Sequence, residues 1–257
     1  MPNQDGPIWE YDMRDFNDLR DLIENNIPEI DNYVFRGQAD SRWALTSTLN
    51  RLIKHARLTG SKSGSVDAFV EKHLERFKME IRGRRGDNPT KLEEDDLWAL
   101  GQHFHLATPL LDWSRSPYIS LFFALEEILD DYRGVTRDHK RALWCLNRNK
   151  VAKVNEGLAD TKQMKLIFPD TDDNKRLLGQ SGLFSKGPVM TSVEDWVRKN
   201  CIDEERSLIK IEFPGLRDFR KNALRKLHLM NINHSTIFPD LIGASKYCNI
   251  VAEDYEI

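Results

Sequence analysis

The stretch SPYISLFFALEEIL constrains the fold more than any other part of this chain. A serine followed by proline reads as a helix cap with proline in the first turn. The helix it opens, through Ile119, Phe122, Phe123 and Leu129, carries so broad an apolar face that it belongs in the middle of a core. A chain of 257 residues, 40% hydrophobic and 31% charged, is long enough to build such a core. No internal repeat or low-complexity tract asks for a second domain, so residues 1–257 read as a single domain.

Around that helix the pattern is mixed. Phe16, Leu19, Leu22 and Ile23 recur at helical spacing in a short amphipathic helix that stops near Pro28, and residues 1–30 read as an N-terminal helical extension. Tyr33, Val34 and Phe35 follow as a strand. Val66, Phe69, Val70, Leu74, Phe77 and Ile81 mark a longer helix capped by Ser65, which runs into RGRRGDNP, a solvated loop. LEEDDLWALGQHF is helical, and TPLLDW is a buried strand or an extended loop. Later come strands in ALWCLN, LIF, GLFS and SLIKIEF, a helix in SVEDWVRKN capped by Ser192 or Thr191, and two closing helices in FRKNALRKLHLMN and STIFPDLIGASKYCN. Runs of helices followed by runs of strands favour an α+β fold over regular βαβ alternation.

Composition limits the partners. A net charge of -3 offers no global attraction to nucleic acid or anionic membrane, so an anionic ligand has to be held by a local group of cations. Cys145, Cys201 and Cys248 are odd in number and far apart, which points to a reducing compartment and no zinc site. With no leader-like start and no apolar run long enough to span a bilayer, the expected location is cytoplasmic, with no membrane partner.

Three segments place polar residues inside core-like sequence. In FRGQ, Arg36 offers a planar fork suited to phosphate oxygens at the end of a strand, Gly37 permits close backbone approach or positive φ, and Gln38 follows. The bland alternative is that Arg36 pairs with a buried carboxylate. In GQHFHLATPLLDWSRSPYISLFFALEE, the residues Gln102, His103, Thr108, Asp112, Trp113, Ser114 and Ser116 stand just before the apolar helix, where hydroxyls and backbone N–H groups suit an anion or a ribose. Alternatively Ser116 is only the cap, His103 a packing residue, and Asp112 a loop former that caps backbone N–H groups. In RLLGQSGLFSKGP, Arg176 to Pro188, Gln180 leads into a short strand. His103 and His105 lack the spacing of a metalloprotease helix, so no metal is expected. Trp43 reads as a core residue, and the Arg82, Arg84, Arg85 group as a weak nucleic-acid contact.

Taken together, FRGQ, the QHFHLATPLLDWSRSPYISLFFA block, QSGLF and STIFPDLIG resemble the FRG domain, from about Tyr33 to about Tyr247, making residues 31–250 an FRG-like core. An aromatic-Arg-Gly strand followed by a Ser-x-Ser strand-to-helix junction is also similar, more distantly, to the ADP-ribosyltransferase fold of the arginine, serine, glutamate type. That resemblance implies a split β-sheet core with the N-terminal helices packed on it. It implies Arg36 and Gly37 on the phosphate or ribose of NAD, and Ser114 and Ser116 at the nicotinamide ribose, with Gln38, His103, Thr108 and Trp113 completing the cofactor-binding set. The third catalytic position, a glutamate in many such enzymes, falls near Gln180; Glu204, Glu205 and Glu212 are the alternative carboxylates.

Three functions follow as expectations. The first is an NAD-dependent ADP-ribosyltransferase, in the setting of a toxin or antiviral defence effector, with Arg36, Ser114 and Gln180 as catalytic residues, NAD as substrate, a protein or nucleic acid as acceptor, and a regulatory protein as a further partner. The second is a non-catalytic NAD or ADP-ribose sensor, because a glutamine is neutral. The third is a nucleic-acid-binding or cleaving module on the basic loop.

Overall fold

The apolar helix does lie at the centre. In a computed structural model that describes residues 3–58, 64–86, 91–127, 139–168 and 180–254, helix α5 (Pro117–Glu126) packs on a strand, β3 (Tyr33–Gln38). Leu121, Phe122, Ala124 and Leu125 are buried there among Phe35, Leu143, Cys145, Ile209 and Ile211. Ser116 caps the helix by accepting from the N–H of Ile119 at 3.3 Å, with Pro117 in its first turn. At the other end two buried guanidiniums take its last carbonyls: Arg141 donates to Ala124 at 2.6 Å and Arg220 to Leu125 at 2.8 Å. Cations there also meet the negative end of the helix dipole. Leu129, expected to continue the helix, lies outside the described residues, as do Asp87 to Pro89 and Arg176 to Gly179 of the two polar segments.

The remaining strands are β1 (Asn3–Asp5), β2 (Ile8–Asp12), β4 (Leu110–Ser114), β5 (Lys140–Asn147), β6 (Lys165–Ile167), β7 (Gly182–Lys186) and β8 (Leu208–Pro214). They form one eight-stranded mixed sheet in the order β1-β2-β8-β5-β3-β4-β7-β6, in which β2 and β8 run parallel and the other pairs antiparallel. The fold is α+β. One expectation needs correcting: the first 30 residues are not only helical. Helix α1 (Phe16–Asp21) and the π turn after it are there, but β1 and β2 precede them and extend the sheet through Ile8 and Trp9, both buried. The alternation in SLIKIEF belongs to an interior strand. Its polar residues reach the half-covered face beside Trp144, where Lys210 and Glu212 pair at 2.7 Å.

Helix α8 (Arg217–Leu229) joins α1 and α5 on one face of the sheet. On the other, α6 (Arg148–Asn155) and α7 (Val193–Asn200) pack Val151, Trp196 and Val197 against Val34, Trp144 and Leu146. A third apolar cluster joins α2 (Thr48–Leu58), α3 (Val66–Glu80) and α4 (Glu94–His103) to β4 and β7 through Leu49, Ile53, Leu74, Trp98, Leu110 and Phe184. Two short C-terminal helices, α9 (His234–Ile237) and α10 (Leu241–Asp254), end the chain. The three cysteines are unpaired, and no helix among the described residues is long and apolar enough to cross a membrane.

The sheet is continuous but almost divided. β3 pairs with β5 along its whole length, from Tyr33 opposite Asn147 to Gln38 opposite Ala142, yet it meets β4 at a single register point, Phe35 opposite Ser114. Beyond Phe35 the two strands diverge and leave a fork. Gly37 sits at that point with α5 directly above: a Cβ there would lie 1.9 Å from the Ser120 carbonyl oxygen and 2.5 Å from the Ala124 nitrogen. The glycine answers to close packing of helix on strand rather than to a left-handed backbone. Gly37→Ala should therefore destabilise the fold by about 3 kcal/mol, the upper end for overpacking. Denaturant titration checks it, and an unchanged midpoint would mean that α5 does not approach β3 this closely.

Candidate functional site

The fork opens into a cavity of about 1230 Å³ whose wall includes Arg36, Gly37, Gln38, Trp113, Ser114 and Gln180. That exceeds the ~300–1,000 Å³ of a typical small-ligand site, leaving room for an extended dinucleotide. Arg36 stands in the fork itself. Its Nη1 donates to the main-chain carbonyl of Asp112 at 2.8 Å, bridging strands that have ceased to pair, and lies 3.6 Å from Asp112 Oδ2. Its Nε is buried with no hydrogen-bond partner. Burial pulls the guanidinium below its ordinary pKa; Asp112 opposes that pull and Arg51 adds to it. An arginine stays charged under such conditions. What results is a half-buried cation whose one nearby carboxylate makes no tight bidentate pair with it. Arg141 and Arg148 also have a buried Nε without a partner, but of the three only Arg36 borders the cavity.

Further cations line the same wall. Arg51 and Lys54 face it from α2, one helical turn apart, and Arg42 borders it while held by Asp40 at 2.6 Å. Asp112, Glu127 and Asp195 are the carboxylates on the wall. Trp43 also lines the cavity with 45% of its surface exposed, which corrects its assignment to the core. It follows β3 in the turn after Asp40, and the expectation failed because the surrounding apolar residues, Leu45 and Leu49, turn inward while Trp43 turns to the opening. Arg51 and Lys54 were missed; their spacing on one helix face is visible in the sequence, but nothing local ties that face to β3.

Ser114 joins two neighbouring segments to the strand. Its Oγ donates to the Gln180 carbonyl at 2.7 Å and accepts from the Ser116 N–H at 3.0 Å. Arg36, Ser114 and Gln180, far apart in sequence, thus border one space. Gln38 and Trp113 reach the wall with their polar atoms already engaged: Gln38 Oε1 accepts from Trp144 Nε1 at 2.7 Å, and Trp113 Nε1 donates to Ser185 Oγ at 2.8 Å.

Three members of the expected cofactor-binding set do not line the cavity. Ser116 is occupied as the helix cap. His103 ends α4 with its ring edge-on to Phe104 at 4.8 Å. Thr108 is fully buried, donates to Gln102 Oε1, and through its N–H bonds Thr48 Oγ1 at 2.9 Å. All three lie close to the site in sequence, but His103 at the end of α4, Thr108 just before β4 and Ser116 at the start of α5 are turned to partners outside the cavity. Asp112, expected to cap loop N–H groups, is instead a strand residue whose Oδ1 accepts from Gln102 Nε2 at 2.9 Å.

The alternative carboxylates are also elsewhere. Glu204 pairs with Lys153, the Glu205 carbonyl accepts from Lys150, and Glu212 binds Lys210 and Lys140. The basic turn with Arg82, Arg84 and Arg85 follows α3 and does not border the cavity. Among the described residues no group of three or more His, Cys, Asp or Glu is placed to hold a metal ion.

Because Ser116 only caps while Ser114 ties two segments to β4, their alanine variants should differ. Ser116→Ala should cost about 1 kcal/mol, as an N-cap does. Ser114→Ala should cost more and loosen Gln180. Urea denaturation of the two variants tests this, and equal losses would contradict the assignment.

Residues 31–133 match the family model of the FRG domain, a span that contains Arg36, Asp112 and Ser114 but not Gln180. The comparison with curated proteins returns no match, and neither does that with solved structures.

Proposed function

We propose that this chain, which carries the FRG domain over residues 31–133, is an NAD-dependent ADP-ribosyltransferase with its nucleotide site in the fork between β3 and β4. The observation that carries this reading is Arg36: a half-buried guanidinium with an unpartnered Nε, lining a cavity of about 1230 Å³. A cation kept open in that way suits an anion delivered from solution. A nucleoside diphosphate group also matches the second pair of cations, Arg51 and Lys54, and the exposed face of Trp43 matches a base. The near-division of the sheet beside β3 is what the split core of the ADP-ribosyltransferase fold implies.

On this reading Arg36 binds a diphosphate or ribose oxygen through Nε and Nη2, with Nη1 kept on the Asp112 carbonyl. Arg51 and Lys54 balance the rest of the diphosphate. Trp43 stacks on one base at the mouth. The bond between the ribose C1′ and the nicotinamide nitrogen breaks, its electron pair leaving with nicotinamide, and positive charge builds on the ribose. Gln180 hydrogen-bonds a ribose hydroxyl, while the wall carboxylates Asp112, Glu127 and Asp195 supply negative potential that a glutamine lacks. The acceptor, a protein or nucleic-acid nucleophile, then attacks C1′ and gives up its proton.

A second reading is favoured by Gln180 itself. A neutral amide cannot act as a general base, so the same cavity would serve a sensor that binds NAD or ADP-ribose without turnover. The basic turn after α3 stands apart from the cavity and supports the nucleic-acid reading least.

Incubation with NAD should release nicotinamide from the wild type and not from Arg36→Ala, with both proteins matched in melting temperature. Release that survives the substitution would remove Arg36 from the mechanism. Saturable binding without release would select the sensor. In either case Trp43→Ala should weaken NAD binding by about tenfold, in line with ~1–3 kcal/mol per stacked base, as measured by calorimetry. An unchanged affinity would place the base elsewhere.

A further inference from the structure

A chain of hydrogen bonds runs from the back of the fold to Arg36. Thr48, at the start of α2, exchanges bonds with the Thr108 backbone: its Oγ1 accepts from the Thr108 N–H at 2.9 Å and donates to the Thr108 carbonyl at 3.3 Å. Thr108 Oγ1 donates to Gln102 Oε1. The Asp112 carboxylate can only accept, so it takes the Gln102 NH₂ and leaves the amide oxygen for the Thr108 hydroxyl. Gln102 Nε2 accordingly donates to Asp112 Oδ1 at 2.9 Å. The other oxygen, Oδ2, rests 3.6 Å from Arg36 Nη1, outside hydrogen-bond range, while Arg36 Nε has no partner.

This arrangement leaves one interaction unmade. A carboxylate beside a half-buried guanidinium with an empty Nε would ordinarily rotate into a bidentate pair, since an unsatisfied buried donor is costly. The Asp112 side chain itself is 59% exposed. Its Oδ1, however, is tied to Gln102, whose amide oxygen is held from behind by a fully buried threonine.

We propose that Gln102 is a positioning residue, a latch that holds the Asp112 carboxylate away from Arg36 and so keeps the guanidinium open for an anionic ligand. Asp112 stays near enough to keep Arg36 charged but does not occupy it. The latch concerns the same cavity and rests on its reading as an anion site, yet its geometry has a readout that needs no ligand. Gln102→Leu removes the tether, and Asp112 then closes on Arg36.

The test has two arms. In the first, ¹H–¹⁵N spectra follow the Nε–H resonance of Arg36, assigned by its loss in Arg36→Lys. Gln102→Leu should shift it and slow its exchange with water as Asp112 becomes its acceptor. In the second, calorimetry measures pyrophosphate and NAD. Gln102→Leu should weaken both by about tenfold or more, the loss expected when a charge-assisted hydrogen bond is taken from the ligand. Adding Asp112→Asn should restore binding to the level of Asp112→Asn alone, a rescue that a merely structural role for Gln102 would not give. Unchanged binding in Gln102→Leu, or no rescue in the double variant, would overturn the latch. If the wild type binds neither probe, the anion site itself fails, and an Nε–H resonance unmoved by Gln102→Leu would separately sink the latch. Should Gln102→Leu not fold, Gln102→Ala, which removes the same tether with a smaller side chain, must shift the resonance in the same direction or the proposal falls.

Discussion

The contact between Gly37 and α5 is the constraint on which the rest of this structure depends. A strand and a helix that approach so closely that the Ser120 carbonyl oxygen would be 1.9 Å from an added Cβ must be held there from both sides. The apolar residues of α5 bury themselves against β3, β5 and β8, and the buried Arg141 and Arg220 fix its C-terminal carbonyls. Arg141 is itself pushed down to about 10, first by burial and then by its neighbour Arg220, so this cap is built from two guanidiniums in a poorly hydrated place. Only the carbonyl dipoles they meet make that tolerable.

From that contact the fork follows. The helix lies over β3, and the chain that leads into it is β4, joined to α5 by the Ser114 and Ser116 bonds. The two strands therefore meet at Phe35 and Ser114 and separate beyond, because β4 leaves to pair with β7 while β3 stays with β5. The gap is bridged by the side chain of Arg36 rather than by a backbone ladder. A guanidinium that does one job as a strand tie, through Nη1, also lines the cavity. Structural and binding roles are thus divided among the atoms of a single residue, and the Asp112 carboxylate is close enough to favour the charge without filling that residue's Nε.

Much of this was legible in the sequence because it is local. The Ser116 cap, the Ser65 and Ser192 caps, the apolar helix, the alternation in SLIKIEF and the strands around FRG and LLDW all depend on residues within a few positions of one another. Arg36, Ser114 and Gln180, singled out from separate segments, border one cavity. What was missed is long-range. Strand β2 gains its place by pairing with β8, some 200 residues later, and β1 by pairing with β2, so a short N-terminal segment with an amphipathic helix after it looked helical. Trp43 looked like core because the sequence shows an aromatic beside apolar residues, not which way the turn after Asp40 sends it. His103, Thr108 and Ser116 were near the site in number only.

The sequence by itself determined most of the helices and strands, the need for a core around α5, and the polar segments that stand inside core-like sequence, since each rests on short-range pattern and residue type. Tertiary structure alone decided that Arg36 bridges a fork, that Arg51, Lys54 and Trp43 share its cavity, and that Gln102 rather than a loop holds Asp112. The physical reason is that these relations join α2, α4, β3 and β4 through hydrogen bonds and close packing, and the energy of such contacts exists only once strands distant in the chain have been brought side by side.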